Sequence, residues 1–135
     1  MHELVALSKS EIVAPTGSIV VREELLRADP ALIEQFTRAT LKGLRLAAEH
    51  RSAAILALTR SLKIKEDLAA KGYDAARPAL TADGTMNEAS QKKALDMVLK
   101  SAGIKETSSP DRFFNFAITR KVNSELHAKG WKPAP

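Results

Sequence analysis

Apolar residues recur along much of the chain at intervals of three and four, the spacing of one helix face. The clearest case follows Asp29, whose side chain can cap a helix start, and Pro30, which fits the first helical position. The apolar positions there are Ile33, Phe36, Thr40, Gly43 or Leu44, and Ala47. This spacing predicts a helix over residues 30–48, with Phe36 as its anchor in the core.

Four more stretches with this periodicity predict helices over residues 51–62 and 62–71, from residue 85 or 87 to 102, and from 109 to 130. Gly72, Gly103 and Gly130 are the expected stops, because glycine readily takes the left-handed conformation after a helix. Either Thr85, in a capping box with Glu88, or Asn87 can begin the third of these helices. The inward positions are expected to be Ala54, Ile55, Leu58 and Leu62, then Ala94, Leu95, Val98, Leu99 and Ala102, then Phe113 or Phe114, Ala117, Ile118, Val122 and Leu126.

The N-terminal part shows a different pattern. Residues 3–7 are typical of a short strand, residues 8–17 of a connector, and residues 19–21 are β-branched and apolar, as in a buried strand. The predicted fold class is therefore mainly α with one or two short N-terminal β-strands. We expect three parts: a strand and crossover connector over residues 1–17, a mainly helical domain over 18–130, and a loose tail over 131–135.

Composition narrows the possible functions. With 135 residues and 44% hydrophobic side chains, the chain can form one globular domain, and it contains no cysteine for disulfides, thiolate metal sites or thiol catalysis. The longest apolar run, residues 53–58, is far too short to insert into a membrane. The N-terminus lacks the pattern of an export signal, so the chain as written is expected in the cytoplasm.

The sequence contains no recognisable catalytic motif. His2, His50 and His127 lack metal-ligand spacing, and no nucleophile or phosphate-loop motif occurs. The phenylalanines near residue 114 could stack on a ligand, but their helical spacing favours core packing. We therefore expect a protein that is not an enzyme and that has no catalytic residue, metal or cofactor.

Several segments, in order, resemble substrate-binding proteins of bacterial ABC importers, in the branch for nitrate, sulfonates, taurine and thiamine precursors. These segments are residues 19–21, 22–26, Asp29-Pro30, Phe36, Ala39 and Gly43, then Asp83-Gly84, Met86-Asn87, Gln91-Lys92, residues 103–105, and Ser109-Pro110 with residues 113–116. The resemblance covers roughly residues 4–118 and corresponds to the C-terminal portion of those longer proteins.

The resemblance implies part of a periplasmic-binding-protein-like α/β lobe. It implies a non-enzymatic function, the binding of a small anionic or heterocyclic solute for an ABC permease, with weak or no binding by this portion alone. Thr16, Gly17 and Ser18, at the crossover between the lobes, are the implied ligand contacts. Relatives of this kind are periplasmic.

An alternative is a small basic helical module that binds a protein partner or a polyanion, since the net charge is +5 and the pI is near 9.6. We expect no nucleic-acid role, because no recognition motif accompanies the charge. Without the rest of a sheet, the strand over residues 19–21 would have an open edge. A homodimer that buries Val5, Leu7 and residues 19–21 is therefore expected.

Overall fold

Six α-helices connected by turns make up the part of the chain that the computed structural model describes, residues 17–105 and 108–134. They are α1 (Glu23–Ala28), α2 (Pro30–Glu49), α3 (Arg51–Leu62), α4 (Glu66–Ala76), α5 (Glu88–Ser101) and α6 (Ala117–Ala128). Short 3-10 turns follow α4 at Arg77–Ala79 and precede α6 at Pro110–Arg112. The predicted mainly α class is confirmed. None of these helices combines the length and apolarity needed to cross a membrane.

Two helix starts follow from side-chain caps that the sequence offers. The Oδ1 atom of Asp29 accepts a hydrogen bond from the Leu32 N–H at 2.9 Å, and Pro30 is the first residue of α2. At α5 the cap is Asn87, whose Oδ1 accepts from the Ser90 N–H at 2.8 Å. Thr85 is not a cap because its N–H and hydroxyl both bind Asp83.

Glycine ends a helix at two of the three predicted positions. Gly103 and Gly130 have φ angles of 69° and 59°, and each follows the last turn of a helix. The prediction for Gly72 is wrong, since this residue lies inside α4. Lys63, at φ 53°, forms the nearby left-handed stop. Gly72 costs α4 only about 1 kcal/mol, and packing of the helix on α3 can offset that amount.

The predicted strand over residues 19–21 is wrong. Its backbone pairs with no other strand in the described ranges, and Val20 is 89% exposed. β-branched residues favour extended backbone, but a strand also needs a hydrogen-bonding neighbour and a face to bury. The other expected strand, at residues 3–7, and Val5 and Leu7 lie outside the described residues.

Helices α2 and α6 pack side by side and run in the same direction. Two ion pairs join them, Glu34 with Lys121 and Arg38 with Glu125, and in each the partners are 87 positions apart. One turn along α2 therefore matches one turn in the same direction along α6. Between the helices lies an apolar cluster, here called the α2–α6 core: Leu41, Val122 and Leu126, flanked by Leu44, Ile118 and Trp131.

A second apolar cluster joins the end of α2 to α3 and α4. Its buried members are Ala54, Ile55, Ala69 and Tyr73. The Tyr73 hydroxyl donates to the Ala47 carbonyl of α2 at 2.6 Å, and Arg51 of α3 forms a two-pronged ion pair with Asp74 of α4. Through these contacts α3 and α4 pack together as a hairpin against the C-terminal end of α2.

Phe36 is not the anchor that the sequence predicts. Its side chain is 55% exposed, and the buried residues of α2 are Ile33, Thr37 and Leu41. Apolar residues lie on more than one face of α2, so periodicity alone allows several rotations of the helix toward the core. Four more predicted inward residues are also exposed: Leu62, Val98, Ala102 and Ala117. The first three lie at the C-terminal ends of α3 and α5, and Ala117 is the first residue of α6.

The last helix begins later than predicted. Pro110 opens only a 3-10 turn, and Phe113 after it is 59% exposed. The rings of Phe114 and Phe116 stack with their centroids 6.4 Å apart. The Asn115 side chain accepts from the Ala117 N–H at 3.0 Å, a local bond that competes with helix continuation.

The residues after α6 make contacts with α2. Trp131 packs at the edge of the α2–α6 core, and the Lys42 ammonium lies 5.2 Å from its ring centroid. His50 Nε2 lies 3.2 Å from the Pro133 carbonyl oxygen. This part of the predicted loose tail therefore lies against α2.

We predict that Leu41→Ala lowers the free energy of unfolding by about 2–5 kcal/mol, because Leu41 is 2% exposed and its loss leaves a cavity. Phe36→Ala should lower it by about 1 kcal/mol or less when the protein is dilute and monomeric, as expected of a side chain that is mostly exposed within the single chain. Urea unfolding followed by circular dichroism measures both values. A larger loss for Phe36→Ala would place the core on the other face of α2.

Candidate functional site

An open polar cleft lies where α2, α6 and the turn before α5 meet. Its lining consists mostly of charged and hydrogen-bonding side chains: Arg45, Asp83, Thr85, Arg120, Asn123, Ser124 and His127. Four of these come from one side of α6, at steps of three, one and three residues, and thus form a single polar stripe on that helix. The opposite stripe, with Val122 and Leu126, is in the core.

The turn that closes one side of the cleft has a defined hydrogen-bonded shape. The Gly84 N–H donates to the Thr81 carbonyl at 3.3 Å. Asp83 then accepts from the Thr85 N–H at 3.0 Å and from its hydroxyl at 2.8 Å, so that both carboxylate oxygens are used. This arrangement is an Asx-type turn, in which a side chain replaces a backbone partner.

Gly84 lets this turn lie directly on the α2–α6 core. Its φ is 64°, and a Cβ atom at this position would lie 2.8 Å from Leu41 Cδ2 and 3.7 Å from Thr119 Cγ2. A side chain would therefore be strained both by backbone conformation and by contact. The absence of a side chain at residue 84 sets how closely the turn approaches the two helices.

A chain of hydrogen bonds connects the three elements around the cleft. Arg45 of α2 donates to the Asn123 side-chain oxygen at 2.7 Å, and the Asn123 amide nitrogen donates to the Asp83 carbonyl at 2.8 Å. Asn123 therefore joins α2, α6 and the turn through one side chain. This bond restrains one arm of the Arg45 guanidinium.

The Asp83 carboxylate is held in its charged form. The hydrogen bond from the Thr85 N–H is the main cause that lowers the pKa of Asp83, opposed by partial desolvation and helped by the Thr85 hydroxyl and the charge of Arg45. A carboxylate with these partners is a weak base, and its charge is partly balanced within the turn.

The cleft has an excess of positive charge. Arg45 and Arg120 both line it, and the Arg120 guanidinium makes no ion pair or hydrogen bond with the residues that the structure describes. His127, exposed in the last turn of α6, adds a ring that can donate a hydrogen bond. Arginine forks suit the flat, two-pronged geometry of carboxylates and oxyanions, so the cleft suits a small anion.

Two of the three ligand contacts predicted from the sequence, Gly17 and Ser18, do not line this cleft and are exposed at the start of the described range. The third, Thr16, lies outside the described residues. The α6 stripe was missed, although the spacing of Arg120, Asn123 and His127 is visible in the sequence. The sequence could not show that the Asp83 turn lies beside this stripe, since the two are 40 positions apart.

Across residues 17–105 and 108–134, no three histidine, aspartate or glutamate side chains come together as a possible metal-binding group. In comparisons with known proteins, no family model, no curated protein and no solved structure matches the chain.

We predict that Gly84→Ala destabilises the protein by about 1–3 kcal/mol, because alanine at a positive φ is strained and its Cβ would contact Leu41. Gly72→Ala is the matched control, since a Cβ at that helical position meets nothing within 4 Å. The control should be neutral or slightly stabilising. Equal melting temperatures for the two variants would contradict this close packing of the turn.

The lowered pKa of Asp83 predicts a pH-dependent contribution to stability. Its charged form is favoured by folding, so the contribution is present above the unfolded pKa, near the ordinary value of 3.8, and is lost as the pH falls through the folded value. The stability difference between the parent and Asp83→Asn should therefore be larger at pH 7 than at pH 3. The surface variant Asp96→Asn corrects for the loss of one negative charge. If this stability difference instead grew toward low pH, the pKa of Asp83 would be raised by folding and not lowered.

Proposed function

We propose that the chain binds a small anionic solute in the cleft between α2, α6 and the Asp83 turn, without catalysing a reaction. The observation that carries this proposal is the pairing of Arg45 and Arg120 in one open cleft. The lining carboxylate, Asp83, already accepts two hydrogen bonds from Thr85. An anion in the cleft would thus meet two guanidinium groups and a carboxylate that is already engaged.

The two arginines differ in how they are held, and the difference suits binding. Arg45 is restrained by Asn123, so little conformational entropy is lost when it meets a ligand. Arg120 is exposed and can turn its fork toward an anion that arrives from solvent. The cleft lies along the side of α6, from Arg120 to His127, and the groups in it that could bind an anion are side chains.

Binding without chemistry fits the acid–base groups in the cleft. A general base needs a pKa near the working pH, whereas the pKa of Asp83 is lowered. His127 is exposed at the end of α6, and no hydrogen bond from the described residues orients its ring. A nucleophile would also need such a base, and the Ser124 hydroxyl instead donates to the Arg120 carbonyl at 3.0 Å.

At the family level, we propose that the chain is the C-terminal portion of an ABC-importer substrate-binding protein. The resemblance at Asp83-Gly84 and Met86-Asn87 supports this proposal, because these residues form the turn beside the cleft and the cap of α5. The α/β lobe, a periplasmic location for the full-length relatives and an ABC permease as partner belong to the same proposal. The solute would be a small organic or inorganic anion.

The exposed apolar side chains favour a second candidate function, a helical interaction module. Twelve large apolar residues of the described part are exposed, among them Phe36, Leu56 and Leu68. A contiguous exposed apolar patch marks an interaction site on a soluble protein, and Leu32 and Phe36 lie on one side of α2. The basic charge would favour an acidic partner or a polyanion.

Calorimetric titration tests the leading proposal with nitrate, sulfate, phosphate, taurine and small carboxylates as probes. We predict saturable binding of one of these anions, and an affinity roughly ten- to hundredfold lower in Arg120→Gln, because a hydrogen bond to a charged group contributes about 1.5–3 kcal/mol. Arg60→Gln is the matched control, since it removes the same charge from α3, away from the cleft. It should keep the parent affinity.

The outcomes separate the two functions. Loss of binding in Arg120→Gln but not in Arg60→Gln supports the cleft. Equal weakening in both, with a strong dependence on salt and preference for a polyanion such as heparin, supports the interaction module. No binding of any probe at millimolar concentration contradicts solute binding by this chain.

A further inference from the structure

Helix α2 carries an apolar stripe that no described element covers. The stripe, here called the α2 stripe, consists of Leu32, Phe36, Ala39 and Gly43, at steps of four, three and four residues on one side of the helix. All four residues are exposed, whereas Ile33, Thr37 and Leu41 on the neighbouring side are buried. Helices α3 and α6 pack elsewhere on α2 and leave this stripe in water.

The stripe has a shape that can match a second copy of itself. Phe36 protrudes, and at Gly43 an added Cβ would meet nothing within 4 Å, so the surface there is open and low. These two positions are seven residues apart, about 10 Å along the helix, with Ala39 between them. A two-fold axis between residues 39 and 40 would place each Phe36 over the Gly43 of the other copy.

We propose that the protein forms a symmetric homodimer in which two α2 helices pack antiparallel through the α2 stripe. In such an isologous contact each copy presents the same surface to the other, so the Phe36–Gly43 contact occurs twice in the dimer. The small residues at the centre allow the two helix backbones to approach closely. The apolar side chains of Leu32 and Phe36 would be removed from water in both copies.

The helix dipoles favour an antiparallel arrangement with another copy. About the same axis, residue 49 of one copy is level with Pro30 of the other, so the N-terminal end of each α2 would lie beside the C-terminal end of its partner.

This interface differs from one that pairs strands at residues 19–21, because those residues form no strand in the structure. It also lies on a different side of α2 from Arg45, which contacts Asn123 of α6. The dimer therefore does not require the cleft to bind a ligand, and the cleft does not require the dimer.

A single cysteine placed near the axis provides the test. The chain has no cysteine of its own, so Ala39→Cys introduces the one thiol in each copy. Along the helix axes, residue 39 of one copy would be offset by only about 1.5 Å from residue 39 of the other. When the two backbones pack closely, a disulfide can join these positions. Mild oxidation should convert most of Ala39→Cys to a linked dimer within minutes on a non-reducing gel. Leu56→Cys, an exposed position on α3, is the control and should stay mostly unlinked.

Mass measurements on the full chain complete the test. Sedimentation equilibrium at tens of micromolar should give twice 14.7 kDa for the parent protein. Gly43→Lys and Phe36→Lys should each give 14.7 kDa with an unchanged helical spectrum, since both residues are exposed within the single chain. Leu68→Lys, an exposed apolar residue on α4, should leave the dimer intact.

Three results would overturn the proposal. One is a monomeric parent protein, as expected if residues before Gly17 cover the stripe within the same chain. The second is Ala39→Cys that crosslinks no faster than Leu56→Cys. The third is a dimer that persists in both Gly43→Lys and Phe36→Lys, which would place the contact elsewhere.

Discussion

The parallel packing of α2 against α6 is the constraint on which the described structure depends. Leu41, Val122 and Leu126 form its apolar centre, and two ion pairs with equal sequence separation set its register. Two parallel helices repel slightly through their dipoles and cannot be joined by a tight turn. The two ion pairs between the helices offset the dipole repulsion. The intervening helices α3 to α5 provide the long connection back to the start of α6.

The same packing creates the polar cleft. One stripe of α6 is buried on α2, so the stripe with Arg120 and His127 is turned outward beside it. The Asp83 turn can approach this place because Gly84 has no side chain, and Asn123 then bonds to both the turn and Arg45. The core and the cleft therefore depend on residues that are one position apart in the sequence, such as Val122 and Asn123.

The surface of α2 shows the limit of a small helical core. The helices that contact α2 leave part of its apolar surface uncovered, so that Phe36 is exposed within the single chain while Leu41 is buried. Exposed apolar area of this kind is unfavourable for an isolated chain. Self-association through α2 would remove it from water without any change in the fold of the single chain.

The local features of the fold can be predicted from the sequence alone. Asp29 and Pro30 begin α2, Gly103 and Gly130 end helices, and the stripe with Val122 and Leu126 is buried as predicted. These features depend on bonds and periodicities within a few residues, which the sequence displays directly. Three features depend on tertiary contacts: which face of α2 is buried, the absence of a strand partner for residues 19–21 among the described residues, and the position of the Asp83 turn beside α6. Each of these depends on contacts between distant residues, for which the local pattern allows several equally regular solutions.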